Sequence, residues 1–374
     1  MDIIDDLSIN VAACLGRQKR LLKVMQSHQL DLVIVNQTEH VQWLTGPRFP
    51  WTMATATAID ASGNTTVVCP HKTPPAAAAD TLIRYDAKWH STLRNDQAAE
   101  VSKVLRESVD LSAKRIGVEF SSAGPHFTSA LNPAPNVEWF DIEPEMYRLR
   151  RRKDSDEIAR IRKAIRATEL MYEKARDIIE PGINELDVFN ELQSVAVREF
   201  GEMMTGTGND YQCNARGGGP RDRIAAAGEL YILDLGPAFR GYFADNARTI
   251  AVSEINKNQD AAWNAIMPVF QHIEETVKPG KSCRELFNEV QSMLDESPVG
   301  VFNHHLGHGI GLFPHEGPHL NPNWDDTFEV GDVFTAEPGL YDPEKLRAGM
   351  RLENDYLVTE SGIELLTDFC IALK

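Results

Sequence analysis

Two aspartates in the second half of the chain, Asp234 and Asp245, have the spacing of a pair that can share a cation. They stand at the two ends of a segment whose turn formers, Pro237 and Gly241, separate two apolar runs. A hairpin with its turn centred near residues 239 and 240 would set the aspartates directly opposite each other, on one face. Two carboxylates so close in a partly buried site repel each other, so a cation is needed to keep both ionised.

A second pair of acids follows nearer the C-terminus. Glu337 follows Val333 and Thr335 with the alternation of a strand, and Glu353 follows Arg351 in the same way. The loop 342–349 would join the two strands as a hairpin. This pattern predicts a second pair of inward-facing carboxylates.

Between the two pairs lies a histidine-rich segment, residues 303–316, with the sequence NHHLGHGIGLFPHE. The glycines beside His308 allow the backbone to approach a site closely. Four carboxylates and one imidazole suit a pair of divalent ions such as Mn, Fe, Co or Zn, and the histidine disfavours Ca. Each signal is weak alone, because an aspartate after a strand is usually a turn residue and a lone histidine is usually structural.

The elements that carry these residues belong to an internal repeat. Ile179–Gln193 matches Val277–Gln291, 98 residues later, and both copies contain a Pro-Gly turn and a Phe-Asn-Glu triplet. Each copy then offers a helix cap, Asn184 or Ser282, with an acid three residues on. We therefore predict two related halves around a pseudo-two-fold axis.

The first 145 residues show a mixed helix and strand pattern, which predicts a separate α/β domain with a boundary near residue 150. The predicted elements are a helix around Arg17–His28, strands at Leu32–Val35, Ala54–Ile59 and Thr65–Val68, and a helix near Gln97–Ser108. A cap at Asp154 with Glu157 three residues later predicts the next helix. The basic run 148–153 is interpreted as a solvated linker rather than a nucleic-acid site.

Composition excludes several classes of function. The formal charge of −17, from 55 acidic and 38 basic residues, disfavours nucleic acid and anionic membranes as partners. The 5 cysteines are scattered, which fits a reducing, cytoplasmic setting rather than a disulfide scaffold. The acidic residues 1–10 lack the features of a signal peptide, and no apolar run approaches the roughly 18 residues of a membrane helix.

Taken in order, the aspartate pair and the segments GHGIG (307–311), TAEPG (335–339) and RLEND (351–355) resemble one known active site. It is that of the pita-bread metallopeptidases: aminopeptidase P, prolidase, methionine aminopeptidase and creatinase. The Xaa-Pro peptidases among them are the most similar. The resemblance implies an α/β protein with a small creatinase-like N-terminal domain (1–148), which includes the stretch WLTG (43–46), and a pita-bread catalytic domain (149–374).

The resemblance also implies roles for individual residues. Asp234 would bind one metal ion, Asp245 and Glu353 would bridge two ions, and His308 and Glu337 would complete the second site. Glu337 would also transfer a proton, and His304 and His315 would steady the substrate and the tetrahedral intermediate. Arg351 matches an arginine near the metals and would bind substrate.

One departure concerns the substrate. The peptidases usually carry a further histidine roughly 15 to 20 residues before the first aspartate, but residues 213–220 contain none. Arg216 in this segment is either a contact for an anionic substrate or a surface residue of a glycine-rich loop. The leading hypothesis is cleavage of Xaa-Pro bonds in short peptides by a cytoplasmic homodimer. The alternatives are a non-peptide amide hydrolase or lyase on the same metals, and a non-catalytic binding module.

Overall fold

The computed structural model describes residues 7–50, 52–90, 93–133 and 135–374. Residues 1–6, part of the acidic stretch that argued against a signal peptide, lie outside the described residues. By its internal contacts the chain divides after Arg150 into two compact units. Within the described ranges, no helix is both long and apolar enough to cross a bilayer.

The first unit is an α/β structure built on one six-stranded mixed sheet, with strand order β4-β3-β2-β1-β5-β6. Its helices are α1 (Val11–His28), α2 (Thr38–Thr45), α3 (Ala87–His90), α4 (Arg94–Arg106), α5 (Pro125–Leu131) and α6 (Glu143–Arg151). Its strands are β1 (Leu32–Val35), β2 (Ala56–Asp60), β3 (Thr65–Pro70), β4 (Thr81–Tyr85), β5 (Arg115–Val118) and β6 (Glu138–Asp141).

The helices and strands predicted for this part of the chain are confirmed, although α1 begins at Val11 rather than near Arg17. Strands β1 to β3 read as short β-branched runs because most of their side chains are buried. Strands β4, β5 and β6 were not predicted. In β4 and β6 the side chains are mostly exposed or half-buried and lack an apolar pattern.

The interpretation of residues 148–153 as a solvated linker is wrong. Arg150 is buried and donates a hydrogen bond to His40 Nε2 (3.0 Å). Arg151 forms an ion pair with the buried Asp332 (2.6 Å), and the buried Lys153 pairs with Glu316 (2.6 Å). Buried cations need such partners, because an unpaired charge away from water is strongly destabilising.

The second unit contains four long helices and four small sheets. The helices are α7 (Ser155–Ile178), α8 (Glu185–Phe200), α9 (Lys257–Thr276) and α10 (Cys283–Asp295). The strands are β7 (Asp210–Cys213), β8 (Leu230–Leu235), β9 (Ala238–Phe239), β10 (Tyr242–Phe243), β11 (Asn246–Ala251), β12 (Gly307–Gly309), β13 (Glu316–Leu320), β14 (Val333–Ala336), β15 (Gly339–Asp342), β16 (Ala348–Arg351), β17 (Asn354–Val358) and β18 (Ile363–Leu365). The two larger sheets have the orders β11-β8-β7 and β13-β12-β14-β17-β18.

The predicted internal repeat is confirmed by matching backbone hydrogen bonds. The amide of Gly182 donates to Ala225 O (2.9 Å), and the amide of its counterpart Gly280 donates to Phe328 O (2.8 Å). Helices α8 and α10 begin after the predicted caps, whose side chains accept hydrogen bonds from the first turn. The two copies therefore share the same turn and the same helix start, as a pseudo-two-fold arrangement requires.

Candidate metal centre

The first pair of acids, Asp234 and Asp245, lies in or directly beside the paired strands β8 and β11. The register of these strands differs from the predicted one. Asp234 pairs with Ala247, and Asp245 lies two positions earlier, just before β11. The predicted direct opposition of the two aspartates is therefore wrong. Because side chains two positions apart share a face of a strand, the carboxylates still point the same way, in a diagonal arrangement.

The hairpin turn explains the difference. It is centred between Arg240 (φ 49°) and Gly241 (φ 91°), since Phe239 pairs with Tyr242. Two consecutive residues with positive φ form the turn that best matches the twist of paired strands. The turn residues in the sequence predicted a hairpin, but they did not decide which two residues form its corner.

The second pair of acids lies in the break between two strand pairs. Ala336 pairs with Asn354 on one side of the break, and Gly339 pairs with Arg351 on the other. This common register sets Glu337 opposite Glu353. The Glu353 amide donates a hydrogen bond to Ala247 O (2.8 Å), which joins the second hairpin to the first.

His308 reaches these acids from the short strand β12 and is buried. Its Nδ1 lies 3.1 Å from Gly309 O, and its Nε2 lies 3.7 Å from Asp245 Oδ2 and 3.8 Å from Glu337 Oε1. Burial lowers the pKa of His308 to about 4, so its imidazole is neutral near pH 7. A neutral ring held through Nδ1 presents Nε2 as a metal ligand.

Among the described residues, two of the carboxylates, Asp245 and Glu353, lack the counter-charge that their burial demands. Burial and the charge of Asp234 raise the pKa of both Asp245 and Glu353 well above the usual range. Asp234 Oδ1 and Glu353 Oε2 are buried without a hydrogen-bond partner. Ligand atoms of Asp245, His308 and Glu353 lie within 4.8 Å of one another. Buried carboxylates of this kind need a cation, so the donor set fits bound divalent metal.

Three further histidines surround Glu337. His315 stacks on His308 with ring centroids 3.7 Å apart, and His304 Nδ1 lies 3.9 Å from Glu337 Oε2. His305 Nε2 lies 2.7 Å from Glu337 Oε1. Burial raises the pKa of Glu337, but the neighbouring histidines outweigh it and bring the value to about 2. His305 was not predicted as a site residue, because neighbours in an irregular segment carry no periodic signal of which one points inward.

Arg351 lies among the acids rather than at the open side of the site. Its Nη2 lies 3.0 Å from Asp234 Oδ2 and also contacts the carboxylate of Asp210, the direct cross-strand neighbour of Asp234. The guanidinium thereby relieves the repulsion between two opposed acids. Asp210 was missed because it starts a strand, where an aspartate is unremarkable.

Arg216, by contrast, is exposed. Its guanidinium stands 4.1 Å from the ring centroid of Tyr341 and donates a hydrogen bond to Asn303 Oδ1 (2.6 Å). Tyr341 Oη in turn lies 3.0 Å from His304 Nε2. All the site residues predicted from the sequence thus fall in one connected region, with Arg351 on its buried side and Arg216 on its exposed side.

Comparison with known families agrees with this geometry. Residues 159–360, which include all five candidate ligands, match the model of metallopeptidase family M24. The chain belongs to this family. Residues 17–152 match the creatinase/prolidase N-terminal domain. The predicted fold class, a creatinase-like α/β domain followed by the pita-bread domain, is thereby confirmed, and the protein is a metallopeptidase.

Individual relatives match almost the whole length of this chain. An uncharacterized peptidase of Staphylococcus epidermidis is 28% identical over 370 residues, which cover 94% of this chain and 98% of the relative. The prolidase from Pyrococcus horikoshii OT3 superposes with a TM-score of 0.81 at 23% identity, covering 96% of this chain and 100% of the other. The Xaa-Pro dipeptidase from Bacillus anthracis gives 0.82 at 23% identity, covering 96% and 99%. At such identity the two structures show a shared fold.

The raised carboxyl pKa values predict how metal stabilisation depends on pH. Unfolded carboxyls titrate near about 4. Because the folded pKa values of Asp245 and Glu353 are raised, the metal-free protein loses stability as pH rises from about 4 through those folded values. A bound cation removes this penalty. We expect the gain in Tm on adding Mn²⁺ to be at least about 4 °C larger at about pH 8 than at about pH 5.5.

Differential scanning fluorimetry with and without Mn²⁺ measures both gains. Glu353→Gln, which removes one of the two carboxyls, should reduce the difference between the two pH values. A gain that is equal at both pH values, or larger at the lower one, would contradict the expectation.

Proposed function

We propose that this M24 protein hydrolyses short peptides at the bond before proline, using two divalent ions chosen from Mn, Co, Zn and Fe. The observation that carries the proposal is the convergence of Asp234, Asp245, His308, Glu337 and Glu353, with buried oxygens that lack partners. The fold shared with a prolidase and an Xaa-Pro dipeptidase supports it.

We assign the ligands to the two ions as the resemblance to the pita-bread metallopeptidases implies. Asp234 would hold one ion and Asp245 and Glu353 both, while His308 and Glu337 would hold the second. When bound, such ions lower the pKa of water and polarise a carbonyl group. Glu337, deprotonated and surrounded by histidines, is placed to accept a proton from the attacking water. His304 and His315 border the same region and would contact the substrate.

A proline-specific site must bind a substrate amide that has no N–H group. The bond before proline is a tertiary amide, so the site needs no hydrogen-bond acceptor for an amide N–H. Specificity then depends on packing of the proline ring and on binding of the substrate carboxylate. Arg351 and Arg216 are the two candidate cations for this carboxylate.

A second candidate function is hydrolysis of a small non-peptide amide. It is favoured by Gly217, which stands in the segment where the peptidases carry a histidine. A Cβ at this position would come within 2.2 Å of Asp210 Oδ2, so the Asp210 carboxylate occupies the space that a side chain would need. The chemistry on this side of the site therefore differs from that of a histidine-bearing peptidase.

A substrate panel on fully metal-loaded enzyme tests the proposal. We expect kcat/KM for Xaa-Pro dipeptides to exceed that for Xaa-Ala dipeptides by at least about tenfold, a difference of about 1.4 kcal/mol in transition-state binding. Cleavage of small amides but neither dipeptide would replace the proposal with the second candidate. If two ions bind and nothing in the panel is cleaved, a non-catalytic binding role gains support. Glu353→Gln serves as the inactive control throughout.

A further inference from the structure

We propose that Arg216, and not Arg351, captures the carboxyl-terminal carboxylate of the substrate, so that the preferred substrates are dipeptides with a free α-carboxylate. This inference rests on the proposed function. It follows from what each guanidinium already contacts, and from the loop that presents Arg216.

Arg351 is already committed to two anions. Its Nη2 contacts Asp234 Oδ2 (3.0 Å) and the Asp210 carboxylate, and its side chain is only 12% exposed. A substrate carboxylate brought to this guanidinium would meet two resident negative charges and would have to compete with them. Arg351 is therefore a positioning residue for the ligand Asp234.

The segment that directly follows Arg216 is held in place by the same aspartate, Asp210. Asp210 Oδ1 accepts a hydrogen bond from the Gly218 amide (2.6 Å), and Gly217 has a φ of 151° with no room for a Cβ beside Asp210. Residues 217 and 218 thus wrap closely around the Asp210 carboxylate. This contact fixes the point at which the chain leaves Arg216, the residue immediately before them.

Arg216 keeps its positive charge available. Its only hydrogen-bond partner in the part of the chain that the structure describes is the neutral side chain of Asn303, and its guanidinium lies against the Tyr341 ring. It forms no ion pair there. Stacking on an aromatic ring orients a guanidinium without neutralising it, which leaves N–H groups for a charge-assisted contact with a carboxylate.

The surroundings of Arg216 would admit an anion close to the proposed metal centre. Tyr341 Oη lies 3.0 Å from His304 Nε2, and His304 Nδ1 lies 3.9 Å from Glu337 Oε2, so two intervening side chains, Tyr341 and His304, connect Arg216 to a proposed metal ligand. Asn303 also lines a pocket of about 440 Å³ with His304 and His305. The other polar side chains of its wall are the neutral amides of Gln291, Asn321 and Asn323. No carboxylate in this lining would repel the substrate.

The first test compares Ala-Pro with its C-terminal amide on metal-loaded enzyme. Arg216→Met should lower kcat/KM for Ala-Pro about thirtyfold and for the amide less than about threefold, because only the acid loses a charge-assisted contact. Arg216→Lys should retain part of the preference. Arg240→Met is the matched control, since Arg240 also lies over an aromatic ring, Phe239 (4.8 Å), and bonds one side chain, Glu202, and it should leave both substrates unaffected.

Two outcomes of this comparison would overturn the assignment. Equal losses on the acid and the amide would show that Arg216 acts through the geometry of Tyr341 and His304 rather than on the carboxylate. A selective loss on the acid in Arg351→Met, with metal content unchanged, would make Arg351 the anchor.

A binding measurement keeps the assignment testable if the proposed function fails and wild type cleaves neither substrate. Calorimetry should then show L-proline binding the metal-loaded protein about thirtyfold more tightly than L-prolinamide, with the preference lost in Arg216→Met. Absence of that preference in wild type would overturn the assignment.

The loop itself provides a second pair of variants. Gly217→Ala should reduce the preference for the acid, because its Cβ would displace Asp210 or the loop that carries Arg216. Gly219→Ala is the matched control, since a Cβ there meets nothing within 4 Å. An unchanged preference in Gly217→Ala, with the fold intact by circular dichroism, would contradict the role of the loop.

Discussion

His308→Ala is expected to lower kcat at least about a hundredfold and to reduce the metal content from about two ions per chain towards one. His308 is the only imidazole of the proposed ligand set, and its Nε2 lies between Asp245 and Glu337. The neighbouring His315 ring stacks on His308 and does not occupy the position between these two carboxylates. Steady-state kinetics and metal analysis by mass spectrometry measure both effects.

The fold should survive this substitution. Strand β12 is held through its backbone, since His308 pairs with His319 and Gly309 with Phe334. His319→Ala is the matched control: it removes a histidine from the facing position of the same sheet, where the ring contacts Asp326 and Trp324 rather than the ligands. Equal losses from the two variants would show that the ligand assignment is wrong.

His305→Ala should have a smaller effect than His308→Ala, because His305 is not one of the proposed metal ligands. His305 Nε2 lies 2.7 Å from Glu337 Oε1 and helps to lower the pKa of Glu337. Removal of this imidazole should therefore raise the pKa of Glu337 and lower kcat measurably. The metal content should nevertheless stay at about two ions.

Metal removal should have the other large effect. Treatment with a chelator is expected to reduce hydrolysis to less than about 1% of the loaded enzyme, and addition of Mn²⁺, Co²⁺ or Zn²⁺ should restore it. Cys213 lies on the same strand as Asp210, but burial raises the pKa of its thiol, so it is not a ready nucleophile. The acids and histidines alone offer no substitute for the charge that the ions supply.

Metal content must be followed together with activity. The loaded protein should contain about two ions per chain, and both ions and activity should disappear and return together. Full activity in protein that retains no metal after dialysis against chelator would refute the mechanism. Retained metal with lost activity would instead indicate that the chelator acts on something other than the site.

Much of the fold could be predicted from the sequence because its signals are local. The cap at Asp154 with Glu157, the β-branched runs of β1 and β3, and the Pro-Gly turns of the repeat depend on neighbours a few residues apart. The four acids of the metal centre were recognisable because each lies in or next to a short strand-like run of residues. Strands β4 and β6 could not be predicted, since their partly exposed side chains remove the pattern that marks a strand.

The sequence by itself determined which residue types are available for the metal centre and which strands and helices carry them. Only the tertiary structure decided the register that sets Asp245 diagonal to Asp234, the closeness of His305 to Glu337, and the different surroundings of Arg351 and Arg216. The physical reason is that helices, strands and turns are determined largely by hydrogen bonding and hydrophobic patterns among residues that are close in sequence. The electrostatic state of a side chain depends instead on charges brought close from distant parts of the chain, such as Asp210 beside Arg351.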